Sequence, residues 1–111
     1  MAKVFTHEQL NQIIKDYLSK LKGEITLDKV ILFGSYAKGT ATELSDIDLL
    51  IISKDLPSDE PKCKNGFYLD NLVGDFNPHL EVMAINPKKL NNPIEKGFFE
   101  EILITGKEIN F

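Results

Sequence analysis

Two carboxylates one residue apart, Asp46 and Asp48, lead into the apolar run Leu49-Leu50-Ile51-Ile52. On an extended strand residues i and i+2 point to the same face, so this pair is expected to project side by side. Aligned carboxylates repel each other unless a cation lies between them. Hard oxygen donors at this spacing suit Mg²⁺, which keeps several waters and takes its remaining ligands from substrate phosphates. A second stretch, Gly34-Ser35, leaves another apolar run, Val30-Ile31-Leu32-Phe33, and Tyr36 to Lys38 open a short helix. That geometry aims backbone N–H groups at whatever sits above the turn. Glycine admits close approach of a phosphate, and the Ser35 hydroxyl adds one donor.

A third carboxylate, Glu81, has apolar neighbours on both sides in HLEVMAI, the stretch from His79 to Ile85. A charge there is costly unless it is paired or holds a metal. The bland alternative is a glutamate on a solvent-facing strand edge. His79 lies two residues before Glu81 and is expected on the same face, although a lone histidine is more often structural or exposed. Gly34 to Gly39 also matches the front half of a P-loop, GxxxxG. The next residues are Thr40-Ala41, so the phosphate lysine and the metal-binding hydroxyl of that motif are missing.

The elements that must hold these groups follow from periodicity. Thr6 to Leu21 reads as an amphipathic helix with a Thr6/Gln9 capping box, an apolar stripe through Leu10, Ile13, Ile14, Tyr17, Leu18 and Leu21, and Gly23 as C-terminal cap. Strands are expected at Lys29–Phe33, Ile47–Ser53 and His79–Ile85, with Gly39 to Ser45 a polar loop. Lys54 to Gly66 is a loop containing Pro57 and Pro61, and Phe67 to Val73 forms a short helix. Asn86-Pro87 starts a final helical region interrupted by Pro93. Its second helix, Ile94 to Leu103, shows an apolar face of Ile94, Phe98, Phe99, Ile102 and Leu103, and Lys107 to Phe111 is a last extended segment. The expected class is α/β (α+β), a small mixed sheet with helices from both ends packed mainly on one face.

The 111 residues suit one domain, 1–111. No apolar run approaches the length of a membrane span, and MAKVFTHEQ lacks the apolar core of a signal peptide. The single cysteine, Cys63, rules out an intrachain disulfide, fits the cytoplasm and has no neighbouring ligand for a metal. A net charge of −4 argues against a protein that grips nucleic acid. All 13 basic residues are lysines, so any phosphate is met by metal, backbone N–H groups and lysine point charges, or by a partner.

Gly34-Ser35 after a strand, followed by Ser45-Asp46-x-Asp48 leading into another strand and then the acidic strand PHLEVMAINP, resembles the nucleotidyltransferases of the DNA polymerase β superfamily. The short length points to their minimal (MNT) branch, and the resemblance covers residues 28–108. It implies transfer of AMP from ATP to an acceptor hydroxyl. Asp46, Asp48 and Glu81 would be the catalytic carboxylates and ligands of one or two Mg²⁺ ions. Gly34 and Ser35 would hold the β- and γ-phosphates. Glu81, where the family more often has Asp, would complete the second metal site or take the proton from the acceptor. Lys38 stands where relatives often carry Arg; it would contact the triphosphate or merely be solvated.

Many MNT proteins are antitoxins that modify a helical HEPN toxin, and such a toxin is the implied partner. Two other functions stay open: transfer to a small molecule or an RNA end, and a catalytically silent module that neutralises its partner by binding. A domain this small is expected to leave its catalytic face open to an acceptor. Tyr36, Phe67, Tyr68 and Phe111 are the aromatic candidates for docking it. Whether the chain self-associates stays open.

Overall fold

Thr6 opens the first helix as expected. Its side chain accepts from the Gln9 backbone N–H (3.1 Å), and the Gln9 side chain accepts from the Thr6 N–H (2.9 Å). The computed structural model describes residues 4–56 and 79–110. In chain order it shows helix α1 (His7–Lys22), strand β1 (Lys29–Phe33), the single-turn helix α2 (Ser35–Lys38), strand β2 (Ile47–Ile52) and strand β3 (Leu80–Ile85). A 3₁₀ turn (Pro87–Asn91), helix α3 (Pro93–Thr105) and the short strand β4 (Lys107–Glu108) complete it. The loop and helix expected between Lys54 and Val73 fall largely outside the described residues. Pro93 opens α3 rather than breaking a helix, and Asn92 Oδ1 caps it by accepting from the Ile94 N–H.

The four strands form one mixed sheet in the order β3-β2-β1-β4. β2 pairs with β3 in parallel, and β1 pairs antiparallel with both β2 and β4. The α/β class and the mixed sheet are therefore as expected, and of the tail segment Lys107–Glu108 form a strand. The helices, however, divide between the two faces. Val30, Leu32, Leu49, Ile51 and Ala84 pack with Leu10, Ile14, Tyr17, Leu18 and Leu21 of α1. Ile31, Leu50, Ile52 and Ile85 turn the other way and pack around Phe99 of α3. The cause lies in β1 and β2, which are apolar at consecutive positions. A strand of that kind exposes apolar side chains unless both faces are covered. Phe99 is fully buried, with Ile102 and Leu103 half-buried beside it, whereas Ile94 is exposed and does not belong to the helix's apolar face.

The end of the sheet where β2 and β3 finish is closed by side chains that satisfy loop backbone. The Ser53 hydroxyl donates to Thr26 O, and the Asn86 amide donates to Leu56 O (2.6 Å) and Lys54 O (3.2 Å). Asn86 Oδ1 accepts from the Lys88 N–H. Asp55 accepts from the Thr26 N–H, which holds its carboxyl below the usual carboxylate range. The edge where β2 and β3 begin is left for the chemistry.

Candidate active site

Asp48 is the second residue of β2, and the register places it opposite Phe33 on one side and Glu81 on the other. All three lie on the α3 face, because paired residues across neighbouring strands share a face and Leu50 and Ile52 point that way. Gly34 follows Phe33 directly, at φ 75 and ψ −155. That region is open to glycine alone. A Cβ built on Gly34 would also overlap the Asp48 carboxylate. The turn residue is therefore glycine for two independent reasons, and the second sets the Asp48 carboxylate directly against the Gly34-Ser35 turn.

From Gly34 the chain enters α2. The carbonyl of Gly34 accepts from the N–H groups of Ala37 and Lys38 (3.1 Å each). The first N–H groups of a helix lack an intrahelical acceptor, which here leaves those of Ser35 and Tyr36 for a ligand. Gly39, at φ 75, ends the turn in a left-handed conformation. The loop that follows is tied by its own side chains. The Thr42 N–H donates to Ser45 Oγ (2.9 Å), the Leu44 N–H donates to Thr42 Oγ1 (3.3 Å) and the Ser45 N–H donates to Thr42 O (3.0 Å). Asp46 leaves this turn exposed, and β2 begins one residue later.

The electrostatics centre on Asp48. Burial pushes its carboxyl up to about 6, reinforced by the negative charges of Glu81 and Asp46 and by a hydrogen bond with Glu81. Two neighbouring carboxylates without a counterion share a proton more readily than they both ionise. Asp48 and Glu81 are thus a true pair, and Asp46 contributes its charge. Among the described residues no group of three or more His, Cys, Asp or Glu side chains is gathered tightly enough to hold a metal ion. The Asp48–Glu81 pair is all oxygen, short of positive charge and beside the Gly34-Ser35 turn, a chemistry that would suit a hard divalent cation.

The remaining sequence-level candidates are placed differently. Lys38 is exposed, with Nζ 3.7 Å from a carboxylate oxygen of Glu101 on α3, so it joins α2 to α3 across the site edge. His79 does not share the face of Glu81. Its ring meets Phe5 edge-on at 5.2 Å, and Phe5 packs against the α1-side core. Alternation fails there because His79 lies ahead of the strand's first residue. Tyr36, expected as an exposed docking aromatic, is half-buried against the same core, and its hydroxyl accepts from the Phe5 N–H at 3.1 Å. Phe67, Tyr68 and Phe111 lie outside the described residues. One residue passed over inside the polar loop stands out instead: Leu44 is 88% exposed, two positions before Asp46. Its signal was a lone apolar side chain in TATELSD.

A cavity of about 660 Å³ lies between α1 and the C-terminal strand, over Ile14, Leu18 and Ile109. None of the three carboxylates lines it. Size alone does not mark the chemistry here; charge and the Gly34 contact do. No helix among the described residues is long and apolar enough to cross a membrane.

Comparison with known proteins agrees with this geometry. The family described as nucleotidyltransferase domain matches residues 10–106. Putative protein adenylyltransferase MJ1305 of Methanocaldococcus jannaschii is 34% identical, over 92% of this chain and 71% of its own. Protein adenylyltransferase MntA of Thermococcus cleftensis is 27% identical, over 90% of this chain and 96% of its own. Among solved structures, one described as a putative nucleotidyltransferase from Sulfolobus solfataricus superposes with a TM-score of 0.60 at 19% identity, over 89% of this chain and 78% of that one. A toxin–antitoxin structure with AMP-PNP superposes with a TM-score of 0.52 at 22% identity, over 89% of this chain and 70% of that one. At such identities the two structures speak for the fold. The family match, which spans Gly34-Ser35, Asp46-x-Asp48 and Glu81 together, and the M. jannaschii relative place this chain in the nucleotidyltransferase domain family.

Proposed function

We propose that this protein is a Mg²⁺-dependent protein adenylyltransferase that moves AMP from ATP to a hydroxyl side chain of a helical HEPN-type toxin, and so acts as the antitoxin of the pair. The observation that carries this reading is the contact between the Asp48 carboxylate and Gly34. It brings the acidic pair and the phosphate-facing turn into one site. Support comes from relatives named as protein adenylyltransferases and from a fold neighbour that is a toxin–antitoxin structure holding AMP-PNP. The reaction belongs to the cytoplasm, where ATP is supplied.

Gly34 and Ser35 hold the β- and γ-phosphates through backbone N–H groups and the Ser35 hydroxyl. Asp48 and Glu81 would hold the cation against the triphosphate, with Asp46 adding its negative charge from the rim. A Mg²⁺ ion held there would supply charge neutralisation to the triphosphate. Glu81, exposed at the site's rim, takes the proton from the acceptor hydroxyl. The acceptor oxygen bonds to the α-phosphorus in line, the bond from that phosphorus to the bridging oxygen breaks, and pyrophosphate leaves. Lys38 meets the triphosphate as a point charge once its weak surface pairing with Glu101 is exchanged.

Co-expression with a candidate helical HEPN-type toxin from the same genome, followed by intact mass spectrometry, tests the reading. The expected result is an AMP-sized increment on the partner that disappears with Asp48→Asn. A partner that binds but is never modified in ATP and Mg²⁺ would make the chain a silent binding module. Label transferred to a free small molecule or an RNA end instead would assign it a different acceptor.

A further inference from the structure

Leu44 is 88% exposed, on a turn with little freedom to hide it. Three hydrogen bonds between Thr42, Leu44 and Ser45 hold the turn, as described above. Two peptide units separate Leu44 from Asp46, so their Cα atoms are at most about 7 Å apart. The leucine therefore stands at the rim of the acidic site, wherever the rest of the loop leads. Glu43 and Asp46, one residue before it and two after it, are exposed carboxylates, and the site they border includes the exposed Glu81; the exposed Lys38 is paired with Glu101. An apolar knob within an acidic rim is complementary to an apolar socket bordered by lysine or arginine. This chain contains no arginine of its own, and a basic border on the partner would also bring positive charge toward the triphosphate.

We infer that Leu44 is the anchor by which the acceptor protein docks on the catalytic rim, seated in an apolar socket flanked by basic side chains. The inference rests on the transferase reading above for the acceptor's identity, but it concerns a residue outside the catalytic set. Holding the anchor next to Asp46 fixes the distance between the docked surface and the reacting centre, so the leucine selects which hydroxyl is presented.

The test uses the full chain, ATP with Mg²⁺, and a candidate helical HEPN-type toxin from the same genome. Three chains are compared: wild type, Leu44→Asp and the conservative Leu44→Met. Affinity for AMP-PNP is measured separately by calorimetry. Loss of a buried leucine anchor corresponds to about a tenfold or larger rise in KM for the partner. That rise is expected for Leu44→Asp, with kcat at saturating partner and AMP-PNP affinity unchanged and with Leu44→Met close to wild type. Unchanged partner binding and transfer in Leu44→Asp overturns the anchor and leaves the transferase reading intact. Weaker AMP-PNP binding in Leu44→Asp also overturns it, because the side chain then meets the nucleotide. Partner binding that depends on Leu44 without any transfer upholds the anchor and removes the transferase reading. Wild-type chain that neither binds nor modifies the partner overturns both.

Discussion

Asp48 and Glu81 face each other in register across the parallel β2–β3 pair, and burial together with the Glu81 charge makes Asp48 harder to ionise. Asp48 is half-buried against Gly34, whereas Glu81 is exposed. The arrangement is costly for the isolated chain, and a bound cation would relieve it.

That cost gives a pH prediction. Asp48 is raised from 3.8 to about 6 in the folded chain. Between those values the folded state holds a proton that the unfolded state has lost, so stability falls as pH rises through that window and stays low above it. After allowance for solvent screening of a half-exposed group, the loss is about 1 kcal/mol. In EDTA, thermal unfolding of the wild type should drop by about 4 °C between pH 4 and pH 7 relative to Asp48→Asn, the size expected for such a loss. Equal pH dependence in the two proteins would refute the assigned repulsion.

The same substitution should act in the opposite sense on catalysis. Asp46→Asn and Asp48→Asn are each expected to lower transfer by at least about 10²-fold, the scale of removing one preorganised electrostatic group. Circular dichroism and unfolding midpoints should show an intact fold. Either variant retaining full transfer would remove its carboxylate from the mechanism.

Gly34→Ala brings a side chain into a glycine-only conformation and into the Asp48 carboxylate. A cost of about 1–3 kcal/mol is expected from the backbone conformation alone. Urea unfolding measures it. AMP-PNP titration should show loss of affinity, because Asp48 and the turn can no longer occupy their native positions together. Gly39→Ala is the control: its φ is also positive, but no atom lies near its missing Cβ. It should cost stability and spare nucleotide binding.

At the opposite end of the sheet, Asn86→Ala removes a buried side chain that serves Lys54 O, Leu56 O and the Lys88 N–H. Leaving those groups without their partner is expected to cost about 1–3 kcal/mol. The urea midpoint should fall while the nucleotide affinity of the folded fraction stays at the wild-type value, since none of these contacts reaches Asp48.

What could be read from the sequence is what short stretches decide alone. The capping box at Thr6 and the apolar stripe of α1 depend on residues three and four apart. The strand character of Val30 to Phe33 and Leu49 to Ile52 depends on composition over a few residues. Gly34-Ser35, Asp46-x-Asp48 and Glu81 could be picked out because each is a local oddity: a turn between apolar runs, a charge pair entering a strand, a charge inside one. The tertiary structure decided everything that depends on register between distant segments. It set Asp48 against Gly34 and opposite Glu81, paired Lys38 with Glu101, and turned Tyr36 and His79 toward Phe5. It also sent α3 to the face opposite α1. That choice was half visible, since consecutive apolar residues in β1 and β2 demand cover on both sides, but which helix supplies each cover depends on the path of the whole chain. Leu44 marks the limit most clearly: its type is written in the loop, while its exposure at the catalytic rim exists only because the folded turn offers it nothing to pack against.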